Sequence, residues 1–329
     1  MIITKTPHRI SFFGGGTDYP SWYMENGGKV LGVSINKYCY LIVRELPPFF
    51  EHKHRIVYSV IEQPQEIAEI KHPSVREVLK YFDYKKGISI HHDADIPARS
   101  GMGSSSAFTV GLLNAMYALH GKTISKTELC RTAIAIEQDL LKENVGSQDQ
   151  VFAAHGGFNL IEFKPGGEIK MHPVAMNRER TQAFENNLML FFTGLSRNAS
   201  EIAEEQVRNT PNNRNGLLRM IKLVDEAHAI ICSGNSDMRN FGVLLNETWK
   251  LKRAFSSKIT NSHIDNIYDT ALKNGALGGK LLGAGGGGFM LFYVEQHNQQ
   301  KVKLALEKLL YIPFKFDFTG SEMIFSKPS

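Results

Sequence analysis

Three glycine-rich segments and one pair of acids hold most of the chemistry that this sequence can do. Pro97-Ala-Arg99-Ser-Gly101-Met-Gly103-Ser104-Ser105-Ser106 runs directly into a helical pattern. Glycines at 101 and 103 let the loop turn tightly and bring backbone amides close to a ligand. The helix start adds unpaired N–H groups and a half-positive pole. Such a place binds anions, phosphate above all. Serines there can bond the helix amides, ligand oxygens or a phosphate-bound metal. The lysine of a Walker loop is missing, and Ser106 stands where a dinucleotide fingerprint has its third glycine.

Gly278-Gly-Lys280-Leu-Leu-Gly283-Ala-Gly285-Gly286-Gly287-Gly288-Phe289 is the second segment. So many glycines cost conformational entropy. The apolar elements on both sides are unlike a polar linker, so a ligand-facing loop is expected. The third segment, Pro7 to Tyr19, reads as a strand entering a Gly14-Gly15-Gly16 turn that presents Thr17 and Asp18. An aspartate there can accept two hydroxyl hydrogen bonds, as a polyol requires. Glu137 and Asp149 are the acidic pair. Phosphoryl transfer needs positioning, charge neutralisation by Mg²⁺ and a group that orients or deprotonates the acceptor hydroxyl; one hydroxyl and one carboxylate suffice for the cation. His91-His92-Asp93 does not suit a metal, because adjacent residues on a strand face opposite sides. His52-Lys53-His54-Arg55 reads as a solvated loop.

These groups need elements to hold them. Arg9–Phe13 and Lys29–Val43 read as strands, rich in β-branched and aromatic residues. From Ser104, the apolar positions Phe108, Leu112, Ala115, Met116 and Leu119 recur at helical spacing, with Gly121 as the stop. Ser125-Lys-Thr-Glu128 is a capping box. It opens a helix whose apolar face runs through Leu129, Ala133, Ile136 and Leu140. The chain turns at Gly146 and re-enters helix near Asp149. Strands follow Gly156-Gly157 to about Pro173. A buried strand at Leu188–Thr193 opens a second unit, with helical patterns to about Asn274. Strand (Phe289–Val294), helix (Gln299–Leu310) and strands (Phe314–Phe318, Glu322–Phe325) close the chain. Irregular mixing of the two element types predicts an α+β fold, divided near residue 185.

The 329 residues exceed one core's usual size. Hydrophobic residues are 42% and charged ones 22%, ordinary for a globular protein. No run approaches the roughly 18 apolar residues of a membrane span. The amino terminus lacks the apolar core of a secretory signal, so a cytoplasmic location is expected. Cys39, Cys130 and Cys232 fit neither a disulfide framework nor a zinc site; free, mostly buried thiols are expected. The net charge of +5 suits anionic small molecules, without the concentrated basic face of a nucleic-acid binder. Neither nucleic acid nor membrane is an expected partner, and oligomeric state is left open.

Together the three segments resemble the GHMP kinases, which include galactokinase, homoserine kinase, mevalonate kinase and phosphomevalonate kinase. That family has an amino-terminal Pro-x-[Arg/Lys], a central Pro-x-x-x-Gly-Leu-Gly-Ser-Ser and a late Lys-x-x-Gly-Ala-Gly-Gly-Gly, in this order. The match runs from about Pro7 to Phe289, with Met102 for leucine, a volume-conserving exchange. The resemblance implies a two-domain α+β fold: a ribosomal-protein-like domain over 1–185 that binds nucleotide, and a ferredoxin-like domain over 186–329. It implies ATP and Mg²⁺ as cofactors. Pro97, Arg99, Gly101, Gly103, Ser104, Ser105 and Ser106 would hold ATP, and Ser105 and Glu137 the metal. Asp149 would be catalytic, with Arg9 stabilising charge on the transferred group. Gly15, Gly16, Thr17, Asp18, Gly285 and Gly286 would bind the acceptor.

Galactokinase has Gly-Glu-His-Thr-Asp where this chain has Gly14-Gly-Gly-Thr-Asp18, which argues against plain galactose. Phe12 to Tyr19, Asp95 to Gly101 and Glu143 to Gln150 are similar to the bacterial D-glycero-D-manno-heptose 7-phosphate kinase branch. That implies phosphorylation of the anomeric hydroxyl to a 1,7-bisphosphate, for nucleotide-activated heptose and surface polysaccharide. Arg44, Arg55 and Arg99 are candidates for the acceptor's own phosphate. Another sugar 1-kinase, for fucose or an N-acetylhexosamine, is the alternative. A silent ATP and sugar sensor is the third reading, and the presence of Asp149 and Glu137 speaks against it.

Overall fold

The computed structural model describes residues 1–98, 100–195 and 199–327. β1 (Ile2–Phe13) and β2 (Gly28–Glu45) form the spine of the larger sheet. They run antiparallel from Ile2 opposite Val43 to Phe13 opposite Leu31. Val30, Leu31, Val33, Ile35, Leu41 and Val43 are buried along β2, the setting in which β-branched side chains favour strand. α1 (Pro20–Asn26) lies between them, with proline in its first turn and Gly27 at its end. β3 (His54–Val57), β4 (Ile61–Glu62), α2 (Pro73–Tyr81) and β5 (Ile88–Ala94) follow. β5 pairs antiparallel with the second half of β2 and parallel with β3.

α3 (Ser104–Leu119) packs across β1 and β2. The expected stripe is buried at Phe108, Leu112, Ala115 and Met116, and so are Ala107, Thr109, Val110, Gly111 and Leu113. The helix is therefore core on nearly every side. α4 (Lys126–Ile134) starts on the expected capping box: Ser125 Oγ accepts the Glu128 N–H at 3.2 Å, and Glu128 reaches back to Ser125. From Ala135 to Leu140 the helix widens into a π-helix. Leu129, Ala133 and Ile136 are buried as expected, but Leu140 is 50% exposed. A π turn holds more than the usual 3.6 residues, so Leu140 comes round late and falls off the apolar face.

α5 (Gln148–His155), β6 (Phe158–Phe163) and β7 (Ile169–Pro173) complete the first half; β6 pairs with the first half of β2, and β7 with β6. Next come α6 (Arg178–Asn186), β8 (Leu188–Phe192), α7 (Ala199–Arg208), α8 (Arg214–Cys232), α9 (Arg239–Arg253), α10 (Ser262–Lys273), β9 (Ala276–Leu281) and β10 (Phe289–Val294). α11 (Gln296–Ala305) starts earlier and stops sooner than expected, and β11 (Leu310–Tyr311) takes the end of that predicted helix by pairing with β8. β12 (Phe316–Asp317) is shorter than predicted, and β13 (Glu322–Ser326) is the last strand. The smaller sheet is ordered β11-β8-β10-β9. β12 pairs with β2, and β13 covers the edge of β1. A cut at residue 185 therefore parts the two sheets except for residues 316–326, which return to the first. An uncovered β1 would present unpaired backbone groups.

The fold is α+β, as expected, and among the described residues β3–β5 is the one parallel pairing. Phe12 and Phe13 at the end of β1 meet Phe241 of α9 edge-on at 5.3 and 5.0 Å, and Phe12 meets Phe184 of α6 at 5.7 Å. This aromatic cluster seats the Gly14 turn against the second half. Cys39 and Cys130 are buried and Cys232 is exposed. Among the described residues no helix is long and apolar enough to cross a membrane.

Candidate active site

β1 carries Arg9, and the first turn of α5 delivers Asp149 to it. Arg9 Nε donates to Asp149 Oδ1 at 2.7 Å and Nη2 to Oδ2 at 2.9 Å, a two-bond clamp that fixes the carboxylate plane. Its Nη1 donates to the Gly101 carbonyl at 2.8 Å. Asp149 thus stands beside the serine turn, and a Cβ added at Gly103 would lie 3.3 Å from its Oδ2. Asp18, 2% exposed, accepts the Gly16 N–H at 3.0 Å and Gln148 Nε2 at 2.7 Å. Burial, then the nearby Asp149 charge, pushes the Asp18 carboxyl above its ordinary value.

α3 opens from Gly103 in left-handed conformation, φ 76°. Ser106 Oγ donates to Glu137 Oε2 at 2.9 Å, and Gln150 Nε2 donates to the same oxygen at 2.5 Å. Glu137 sits in the π-helix, wholly buried, and its Oε1 has no hydrogen-bond partner. Burial raises its carboxyl to about 7. Ser104 Oγ also lacks a partner.

The late glycine segment closes the site from the other half. Gly101 and Gly283 both have positive φ, 79° and 75°. A Cβ on Gly283 would lie 2.4 Å from Gly101 Cα, so the backbones meet where side chains cannot fit. Lys280 Nζ donates to the carbonyls of Ser11 at 2.7 Å and Phe12 at 3.0 Å, tying β9 to the end of β1. Lys252, on the last turn of α9, donates to the Gly283 carbonyl. The cavity between these groups is about 320 Å³.

Two family descriptions match the chain: the GHMP kinases N terminal domain over residues 70–157 and the GHMP kinases C terminal over 221–312. A D-glycero-alpha-D-manno-heptose 7-phosphate kinase of Campylobacter jejuni is 30% identical over 97% of this chain and 96% of its own. The chain belongs to the GHMP kinase family. It is a sugar kinase, a phosphotransferase acting on an alcohol group, and GHMP kinases take their phosphate from ATP. A D-glycero-D-manno-heptose 1-phosphate kinase from Bacteroides thetaiotaomicron shares the fold, with a TM-score of 0.81 at 24% identity over 99% of this chain and all of that one. A bifunctional fucokinase/GDP-fucose pyrophosphorylase of Arabidopsis thaliana is 25% identical over 90% of this chain and 30% of its own length.

In this GHMP kinase, the cavity wall brings together Arg9, Gly15, Gly16, Asp18, Gly101, Gly103, Ser104, Ser105, Ser106 and Asp149. Seven described residues named from the sequence are not on it. Thr17 is buried, with its hydroxyl 2.8 Å from the Gly14 carbonyl and 2.9 Å from that of Lys29, so it holds the turn. Gly285 and Gly286 are buried against Ile259, whose carbonyl accepts the Gly286 N–H at 2.9 Å. Pro97 is exposed outside the cavity, and Glu137 lies behind Ser106. Ser106, not Ser105, bonds Glu137; Ser105 is exposed at the turn. Arg44 and Arg55 lie on strands away from the wall, and Arg99 lies outside the described residues. Lys252, Gln148 and Gln206 are wall residues that motif reading passed over. Lys252 did leave a signal: it continues the buried stripe of Leu245 and Trp249 at helical spacing.

Proposed function

We propose that this GHMP kinase transfers the γ-phosphoryl of ATP to the anomeric hydroxyl of D-glycero-D-manno-heptose 7-phosphate, giving the 1,7-bisphosphate for nucleotide-activated heptose in the cytoplasm. The observation that carries the reading is the clamped carboxylate of Asp149, set between Asp18 and the amino end of α3. In this reading the first amides of α3, with Ser104 and Ser105, receive the phosphates. Asp18 accepts hydroxyl hydrogens of the sugar. Asp149 takes the proton of the anomeric hydroxyl as its oxygen bonds to the γ-phosphorus; the bond to the β-bridging oxygen breaks and ADP leaves. Arg9 fixes the carboxylate and faces the charge on the moving group.

The donor set fits magnesium. Glu137 keeps one buried oxygen without a hydrogen bond, and unpaired serine hydroxyl capacity stands at the same turn. No cluster of three or more His, Cys, Asp or Glu side chains competes for a cation among the described residues. Glu137 and the serines of the turn would hold the ion, which would neutralise phosphate charge.

A coupled ADP-release assay with heptose 7-phosphate, read out by phosphorus NMR, tests this. A new anomeric phosphate beside the retained 7-phosphate is expected. Turnover on free fucose with none on heptose 7-phosphate would favour the second reading, a sugar 1-kinase for free sugars, which the fucokinase similarity supports.

A further inference from the structure

Among the described residues, three side-chain cations reach the cavity: Arg9, Lys252 and Lys280. They differ in how many N–H groups are already spent. Arg9 gives two to Asp149 and one to Gly101. Lys280 is 1% exposed and gives two to the carbonyls at the end of β1. Lys252 gives one, to the Gly283 carbonyl, and an ammonium has three. Its charged neighbours Asp149 and Asp18 are otherwise engaged, the first by Arg9 and the second by Gly16 and Gln148.

Lys252 is 4% exposed. An ammonium that deep with one neutral partner is costly unless an anion joins it. Burial and the Arg9 charge lower it to about 8, which leaves it mostly protonated at neutral pH. Its anchor Gly283 abuts Gly101, and Lys252 lines the same cavity as the serine turn at the amino end of α3.

We propose that Lys252 is a catalytic residue that contacts the phosphoryl group in transit, adding from the second half of the chain a positive charge to that of Arg9 in the first. The inference rests on the phosphoryl-transfer assignment and not on which sugar is the acceptor. Developing charge on the phosphoryl oxygens is what such a fixed cation stabilises. An ammonium acts there as a point charge, without the geometric demand of the Arg9 fork.

The test is equilibrium binding of ADP with Mg²⁺, with and without aluminium fluoride as the stand-in for the moving phosphoryl. It is run on the full chain, on Lys252→Met and on Lys252→Arg. Aluminium fluoride should tighten ADP binding to the unaltered protein. In Lys252→Met that tightening should fall at least about tenfold while the affinity for ADP alone stays within about threefold, which also reports an intact fold. Lys252→Arg should keep most of it. Tightening that survives in Lys252→Met, equal loss in both variants, or no tightening in the unaltered protein overturns the proposal. No sugar enters the measurement, so failure of the heptose reading and failure of this one are separate results.

Discussion

Asp149 and Glu137 are both carboxylates, yet their surroundings set them different tasks. Asp149 is held by two charge-assisted bonds at the cavity wall. Asp149→Asn should lower kcat by about 10²- to 10⁴-fold, the usual worth of a general base. The dissociation constant for ATP should stay within about threefold, because the phosphates rest on α3. Stopped turnover and equilibrium titration measure the two. Glu137, wholly buried with its carboxyl raised to about 7, binds its proton more tightly folded than unfolded. That contribution to stability is complete below about 4.5 and is lost as pH climbs through about 7. Relative to the unaltered protein, Glu137→Gln should therefore gain up to about 3 kcal/mol between pH 4.5 and pH 8. Urea unfolding at several pH values without magnesium measures it, and a flat difference would contradict the buried acid.

Between elements, the tight place is where the loop before α3 meets the loop after β9. Gly283→Ala puts a methyl group 2.4 Å from Gly101 Cα and forces an unfavourable φ as well. Gly121→Ala, also at positive φ but with no atom within 4 Å, imposes the backbone strain alone. Gly121→Ala should cost about 1 kcal/mol with unchanged turnover. Gly283→Ala should cost about 2 kcal/mol or more and weaken ATP binding. Ser125→Ala, at the cap of α4, should cost about 1 kcal/mol with no effect on turnover.

The same elements show what the sequence made legible. The capping box, the serine turn and the stripe of α3 depend on neighbours in sequence, and all three form as expected. The π-helix under Glu137 was not visible, because the register of one turn is decided by what packs on it. β1 was read only from Arg9, since Ile2 to Thr6 are too short and mixed a run to mark a strand until β2 and, far along the chain, β13 pair with them. In the site, the glycine segments pointed to the cavity, but spacing could not separate residues facing it from Thr17, Gly285 and Gly286, which pack behind. Lys252 showed only its place on the buried stripe of Leu245 and Trp249, which does not tell a cavity from core.

At the scale of the whole molecule, the two halves meet at the aromatic cluster around Phe12 and Phe241, at the Gly101–Gly283 approach beside the cavity, and where β12 and β13 rejoin the first sheet. Removing residues 321–329 strips the cover from β1 and breaks the Thr6–Ser321 contact at 2.9 Å and the Asn114–Ser321 bond at 3.1 Å. Thermal unfolding of that truncation should come several degrees lower, and ATP binding should weaken with it, because β1 carries Arg9. An unchanged midpoint would show that the strand is dispensable.

The pairing of β13 with β1 also bears on the birth of the protein. Thr6 and Ser321 lie 315 residues apart, and ribosomes add about 5–20 residues per second. For a quarter of a minute or longer, a growing polypeptide would hold the Arg9 strand with one edge bare. Over that interval the nascent chain is a target for chaperones, and it cannot yet be the finished catalyst.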